Sequence, residues 1–301
     1  MKKTIVILSI ILIVILLSFV WFAFDNHPDD TISDNNTSTT IVAVNQDTSS
    51  TLSANDTLVI THDTLSITAN HFIKLDLLEL PSLSNDEVII EHTGFRLVYS
   101  EMHEQAKWVA YEFTKAETFK KVNRTDNFKP DPKILTGSAT STDYKGSGFD
   151  RGHLAPAGDL SWSADAMSCS FFYSNMSPQT PSFNRGVWKK LEEQVRDWAK
   201  LYDTIYVVTG PILEDSLPTI GENKVSIPKY YYKVILEYKR NSTKAIGFIL
   251  PNEKLSFPLN NFIVSVDSVE QITGIDFFHQ LPDTIESEIE KSVCASCWEI
   301  N

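Results

Sequence analysis

The 301-residue chain has few of the features that most quickly betray a protein class. Three cysteines are too few for a disulfide scaffold. The pair Cys294-Ala-Ser-Cys297 has no second Cys-x-x-Cys to complete a zinc ribbon, so it reads as a local disulfide that leaves Cys169 free. No Walker A loop, Gly-x-Gly-x-x-Gly fingerprint, His-Glu-x-x-His or Gly-x-Ser-x-Gly is present. Basic residues are scarce as well: twenty-six Lys and Arg stand against thirty-nine Asp and Glu, a net charge of −13. That balance argues against a protein that holds polyanions by bulk charge.

Residues 1–85 hold nine acids and three bases, and residues 86–301 hold thirty and twenty-three. Both parts are acidic, so any affinity for phosphate must come from local Arg and Lys and be salt-sensitive.

Apolar residues make up 42% of the chain and six Trp are present, enough for a sizeable core. Thr4 to Phe24 is a run of twenty-one residues without a charge, preceded by Lys2 and Lys3. About 20 apolar residues match a bilayer core. Residues 1–24 therefore read as a transmembrane anchor or a signal peptide. The exit Trp21-Phe22-Ala23-Phe24-Asp25 lacks a small-x-small cleavage pattern, which favours the anchor. The basic start places the body outside the cytoplasm, membrane-anchored or, after cleavage, secreted. Residues 25–78 form a polar Asp, Asn, Ser and Thr linker or stalk that cannot bury enough surface to fold alone. Within it Asp56-Thr-Leu-Val-Ile-Thr is echoed by Asp63-Thr-Leu-Ser-Ile-Thr, either two short strands or coincidence in a Thr-rich tract.

From residue 79 to 301 the texture is globular. Phe95–Tyr99 and Trp108–Phe113 read as a hairpin, and Phe171–Asn175 as a short aromatic strand followed by a turn at Met176–Pro181. Thr204–Pro211, Tyr230–Glu237 and Lys244–Leu250 read as further strands, and 262–266 as another. Val187, Trp188, Leu191, Val195, Trp198 and Leu201 follow helical spacing, and Asp283 to about Ser292 reads as a terminal helix. Strands and helices do not alternate regularly, which predicts an α+β fold with mainly antiparallel sheets.

Chemistry concentrates in two stretches. Asp150-Arg151-Gly152-His153 places an acid, a guanidinium and an imidazole together beside glycines. An imidazole titrates near neutrality and can take a proton from water. Taken alone, His153 fits a structural histidine as well as a base, and Arg151 fits an ion pair as well as a phosphate contact. Asp150 would do no more than shape the turn.

Asn184 precedes the strong helix. It suits an N-cap, and equally a neutral oxygen ligand for Mg²⁺, which keeps several waters and takes few protein ligands. Glu192 lies about 12 Å further along a helix axis. Because helical side chains lean toward the N-terminus, it could still hydrogen-bond a metal-bound water, or it could pair with Arg196. Asn175 suits a turn, or a polar group steadying the site.

The stretch from Asp150 to Asp159 (Asp-Arg-Gly-His-Leu-Ala-Pro-Ala-Gly-Asp) resembles the signature of the DNA/RNA non-specific endonucleases, the ββα-metal nucleases. The resemblance continues through Ser174-Asn175-Met176-Ser177-Pro178-Gln179, Phe183-Asn184-Arg185-Gly186-Val187-Trp188, Leu191-Glu192 and Tyr206–Pro211, and covers about residues 80–290. It implies a ββα-metal core among antiparallel sheets and helices. It implies cleavage of DNA and RNA with Mg²⁺, or Mn²⁺ as a substitute, and leaves a homodimer open. His153 falls on the family's base, Asn184 on its metal ligand, and Arg151, Asn175 and Glu192 on its supporting residues. A further phosphate-binding Arg falls loosely on Arg124. Two rivals remain: a nuclease restricted to single strands or RNA, and a tethered nucleic-acid-binding module that has lost activity.

Overall fold

The computed structural model describes residues 75–239 and 242–300. The apolar run of residues 1–24 and the repeat in the polar tract lie outside them. Among the described residues no helix is long and apolar enough to cross a membrane.

The strands are β1 (Ile89–His92), β2 (Phe95–Ser100), β3 (Gln105–Thr114), β4 (Asp150–His153), β5 (Met176–Gln179), β6 (Thr204–Pro211), β7 (Thr219–Ile220), β8 (Val225–Ser226), β9 (Tyr230–Glu237), β10 (Lys244–Pro251) and β11 (Ile263–Val264), of which β2, β3, β6, β9 and β10 are built from runs rich in apolar and β-branched residues. Among the described residues four α-helices are longer than one turn: α1 (Ala164–Ser170), α2 (Lys189–Tyr202), α3 (Val266–Thr273) and α4 (Asp283–Lys291). Seven strands form one sheet in the order β1-β2-β3-β6-β9-β10-β11. Every neighbouring pair in it is antiparallel.

Strand alternation sends side chains to two cores. On one face Leu97, Val109, Phe113, Val207, Ile235 and Phe248 meet Leu191, Val195 and Trp198 of α2. The helix buries that stripe because its apolar residues recur every three or four positions, and Leu191→Ala alone would cost about 2–5 kcal/mol. On the other face Val98, Trp108, Val208, Val234 and Leu236 meet Val266, Val269, Phe277, Phe278 and Leu281 around α3 and α4. The expected α+β class and the β2–β3 hairpin are both present.

Three local expectations change. The segment Tyr173–Asn175 is a helical turn rather than a strand, and the strand is β5, where a turn was expected. Pro178 is tolerated there because β5 pairs only with β4, so its missing N–H leaves no ladder bond broken. Helices α1 and α3 went unread although each begins with a capping serine: Ser163 Oγ accepts from Ala166 N and Ser265 Oγ from Ser268 N. The Cys294–Cys297 disulfide is formed and Cys169 is free.

Candidate active site

The site is a ββα unit set against the main sheet. β4 pairs antiparallel with β5, Asp150 opposite Gln179 and His153 opposite Met176. Gly152 is needed inside β4, since a Cβ there would overlap the Gln179 side chain. Ser177 of β5 hydrogen-bonds the Tyr231 hydroxyl of β9 at 2.6 Å, which ties the small sheet to the large one.

The chain then turns through Pro181–Phe183 into a wide π-turn, Asn184–Trp188, kinked at Gly186 (φ −106°, ψ −111°), before α2 begins. Asn184 is thus not an N-cap. It already has helical angles (φ −54°, ψ −50°), because Pro181 starts the helical path a turn earlier.

His153 is 7% exposed and packs between Phe128 and Phe171, with ring centroids at 5.8 and 5.1 Å. Burial, and then the Arg124 and Arg151 charges, lower its pKa from 6.5 to about 3. The ring is therefore neutral at neutral pH. Its Nε2 is buried with no hydrogen-bond partner among the described residues.

Asp150 does more than shape a turn. Its Oδ2 accepts from Asn184 Nδ2 (2.9 Å) and from Arg185 Nε (2.8 Å), and its Oδ1 accepts from Arg185 (2.6 Å). Burial raises the Asp150 carboxyl, but these bonds outweigh it and the net shift is downward. The carboxylate fixes the nitrogen end of the Asn184 amide and leaves its Oδ1 as the end that can take a cation.

A cleft of about 620 Å³ opens here, lined by Arg124, Arg151, Lys145, Arg185, Asp150 and Asn184 among others. The Arg151 guanidinium lies 3.8 Å above the Phe128 ring, and that of Arg124 5.0 Å from the Phe171 ring. The same two aromatic rings therefore hold the base and both arginines. Arg124 also pairs with Asp126 at 2.6 Å.

Glu192 stands beside rather than in the cleft lining, one turn into α2, in a buried charge cluster. Asp159 accepts from Arg196 (2.7 Å) and from the Tyr111 hydroxyl (2.9 Å). Lys233, on β9 and fully buried, reaches toward Glu192 and Asp159, its ammonium 4.9 Å from the Trp188 ring. Lys233 Nζ has no hydrogen-bond partner among the described residues. Burial and then the Asp159 charge push the Glu192 carboxyl up, while Lys233 and Arg196 pull it down. Burial lowers Lys233 in turn, against the pull of Glu192.

Asn175 lies behind the site, fully buried. Its amide donates to Ala155 O and Ser170 O and accepts from Ala155 N, each at 2.9 Å. All its polarity is spent holding the loop that leaves His153, so it positions and does not touch the cleft.

The structure thus gathers Arg124, Arg151 and Asn184 on one cleft, with His153 against its aromatic wall. Sequence reasoning missed Asp150 as the anchor of Asn184, Arg185 and Lys145 on the rim, and Lys233. For Lys233 a signal was there: one Lys in Tyr231-Tyr232-Lys233-Val234-Ile235 places a cation where both neighbours along the face are buried. The domain's acidity also finds its place. Residues 265–290 hold seven acids and no Lys or Arg, which leaves twenty-three of each sign in the rest of 86–301. That stretch carries α3 and α4, on the sheet face away from α2.

Comparison with known proteins supplies the family. The profile of the DNA/RNA non-specific endonucleases matches residues 79–284. A protein named nuclease EXOG, mitochondrial, of Homo sapiens is 35% identical over 246 residues, 71% of this chain and 66% of that protein. Nuclease C1 of Cunninghamella echinulata var. echinulata is 37% identical over 213 residues, 64% of this chain and 83% of that one. A solved EndoG/EndoGI complex, described as showing EndoG inhibition, matches at TM-score 0.62 and 32% identity, covering 67% of this chain and 89% of that one. The chain spans 58% of the length of the EXOG nuclease of Xenopus laevis.

These relatives correct the expected location. An anchored body facing outside the cytoplasm, or a secreted one, is not what they show: several are named as mitochondrial nucleases. Nor do the described residues hold a membrane-crossing helix. An apolar run reports the capacity to enter a bilayer, and a basic start reports orientation, but neither says which membrane is met. On profile, relatives and fold together, the chain belongs to the DNA/RNA non-specific endonuclease family, whose nucleases depend on a divalent metal.

Proposed function

We propose that this protein is a sugar-non-specific endonuclease that hydrolyses phosphodiester bonds of DNA and RNA, with the activity in residues 79–301. The observation that carries the reading is the neutral, buried His153 set against a cleft lined by Arg124, Arg151 and Asn184. A base must be unprotonated to act, and this imidazole is so throughout the neutral range.

In this reading His153 takes the proton from the attacking water. Arg151 and Arg124 place positive charge where the phosphoryl oxygens become more negative, and their aromatic seats keep the guanidiniums oriented. The site's donors fit a hard cation. Asn184 offers a neutral oxygen whose orientation Asp150 fixes, and Glu192 offers a carboxylate for hydrogen-bonding coordinated water. Mg²⁺ held through Asn184, or Mn²⁺ in its place, would neutralise charge on the phosphate and the departing oxygen. Lys233 opposes the rise that burial and Asp159 impose on the Glu192 carboxyl, which still stands at about 7. Contacts made mainly to the backbone predict little sequence preference.

Incubation with plasmid, single-stranded DNA and RNA, with Mg²⁺ or with EDTA, tests this. Metal-dependent cleavage of all three substrates is expected. Cleavage of only one substrate sinks the non-specific reading, and binding without cleavage sinks the enzymatic one.

A further inference from the structure

The acidic stretch on the far face of the sheet has a built centre. One carboxylate oxygen each from Asp267 and Glu270 of α3 and from Glu290 of α4 lie within 4.8 Å of one another. Glu290 is 4% exposed, and its Oε1 is buried with no hydrogen-bond partner among the described residues. Glu270 is half-buried, with Oε1 accepting from Phe277 N at 2.8 Å. Asp267 is exposed and gives the group an opening to solvent.

We propose that Asp267, Glu270 and Glu290 form a second metal site, separate from the cleft, that takes a Ca²⁺ ion and ties α3 to α4. Both helices pack on β10, so a joint between them fixes how that layer sits on the sheet.

Charge demands something at this place. No Lys or Arg occurs between residues 265 and 290 to compensate the seven acids there. A proton would neutralise one carboxylate of the three. A divalent cation relieves all of them at once and gives the orphaned Glu290 oxygen a partner.

The donors choose the ion. Carboxylate oxygens are hard ligands and suit Ca²⁺ or Mg²⁺ rather than zinc or copper. Mg²⁺ demands a near-ideal octahedron and gives up its waters reluctantly, whereas Ca²⁺ accepts several carboxylates in a flexible shell, which suits three carboxylates offered by two helices. Water would complete its shell on the Asp267 side.

Calorimetric Ca²⁺ titration and thermal melts of the EDTA-treated full-length protein, of Glu290→Gln and of Asp267→Asn provide the test. Any ion at the nuclease cleft is common to all three and cancels. The wild type should bind one more equivalent of Ca²⁺ than either variant. Its Tm should rise by about 5–10 °C at free Ca²⁺ one hundred times Kd, with no such rise in the variants. Mg²⁺-dependent cleavage should stay within about twofold of wild type, since neither residue touches the cleft. Equal Ca²⁺ stoichiometry in the three proteins would overturn the site. So would a Glu290→Gln protein more stable than a wild type that ignores Ca²⁺, because the buried carboxyl would then hold only a proton. If Glu290→Gln does not fold, the exposed Asp267→Asn decides the matter alone. The readouts need no nuclease activity, so failure here is distinct from failure of the proposed function.

Discussion

Replacing Asp150 by Asn should weaken metal-dependent catalysis without unfolding the protein. The carboxylate accepts three hydrogen bonds, one from Asn184 Nδ2 and two from Arg185. Asparagine keeps the shape but turns one acceptor into a donor. If its remaining oxygen serves Arg185, its NH₂ group faces that of Asn184. Two donors repel, and the Asn184 amide rotates, bringing its nitrogen to where its oxygen should meet the cation. Loss of such an orienting partner typically costs about 10–100-fold in metal affinity, or about 1.4–2.8 kcal/mol. Arg185 is 73% exposed along its side chain, so little stability rests on that pair. The assay is cleavage of a fluorescent duplex across a Mg²⁺ titration, with thermal melts as control. Half-saturating Mg²⁺ should rise about 10–100-fold in Asp150→Asn and in Asp150→Ala, and saturating metal should restore kcat to within about threefold. An unchanged Mg²⁺ dependence in both variants would refute the reasoning, as would a loss that no metal concentration recovers.

Other consequences are as direct. Lys233→Met removes one of the three cations that pull the Glu192 carboxyl down, so the acid limb of the kcat–pH profile should move to higher pH; an unmoved limb would separate Lys233 from Glu192. Asn175→Ala leaves Ala155 N and two carbonyls without partners and should cost about 3 kcal/mol or more, read as a Tm fall of about 6–12 °C. His153 binds its proton only near pH 3 when folded but near 6.5 when unfolded, so its contribution to stability is full above 6.5 and is lost as pH falls toward 3. Denaturant melts should therefore show wild type losing about 3 kcal/mol more than His153→Ala between pH 7 and pH 4. Arg124→Ala and Arg151→Ala should each flatten the slope of log binding against log salt by about one.

How far such a site can be read from sequence depends on where its signals lie. Strand β6 was legible because an unbroken Ile-Tyr-Val-Val run ends at Gly210-Pro211, and α2 because its apolar residues repeat with helical period. His153, Arg151 and Asn184 were legible because the motifs that carry them resemble those of a known family. The register of β4 on β5 was not, since the aromatic run Phe171-Phe172-Tyr173 looks more strand-like than Met176-Ser177-Pro178-Gln179, and only pairing with β4 decides between them. Asp150 escaped notice because its partners sit more than thirty residues away, beyond any local pattern. The buried cluster of Glu192, Asp159, Arg196 and Lys233 joins a helix, a loop and a strand; the spacing of Glu192 and Arg196 was readable, but Asp159 and Lys233 lie too far away in sequence to give a spacing. The acidity that argued against a polyanion-binding protein misled because net charge ignores location: part of it falls in residues 1–85, the excess in residues 86–301 collects around α3 and α4, and Arg124, Lys145, Arg151 and Arg185 line the cleft.

The central claim is that a neutral His153 and a metal held through Asn184 act together in one cleft. Single-turnover cleavage of a plasmid by wild type, His153→Ala and Asn184→Ala, each with Mg²⁺ and with EDTA, addresses it most directly. Wild type should nick the plasmid only with Mg²⁺, and His153→Ala should be slower by about 10²–10⁴-fold while keeping wild-type Mg²⁺ binding by calorimetry. Asn184→Ala should lose both cleavage and cleft metal binding. Cleavage by wild type in EDTA, or His153→Ala cutting at the wild-type rate, would contradict the account.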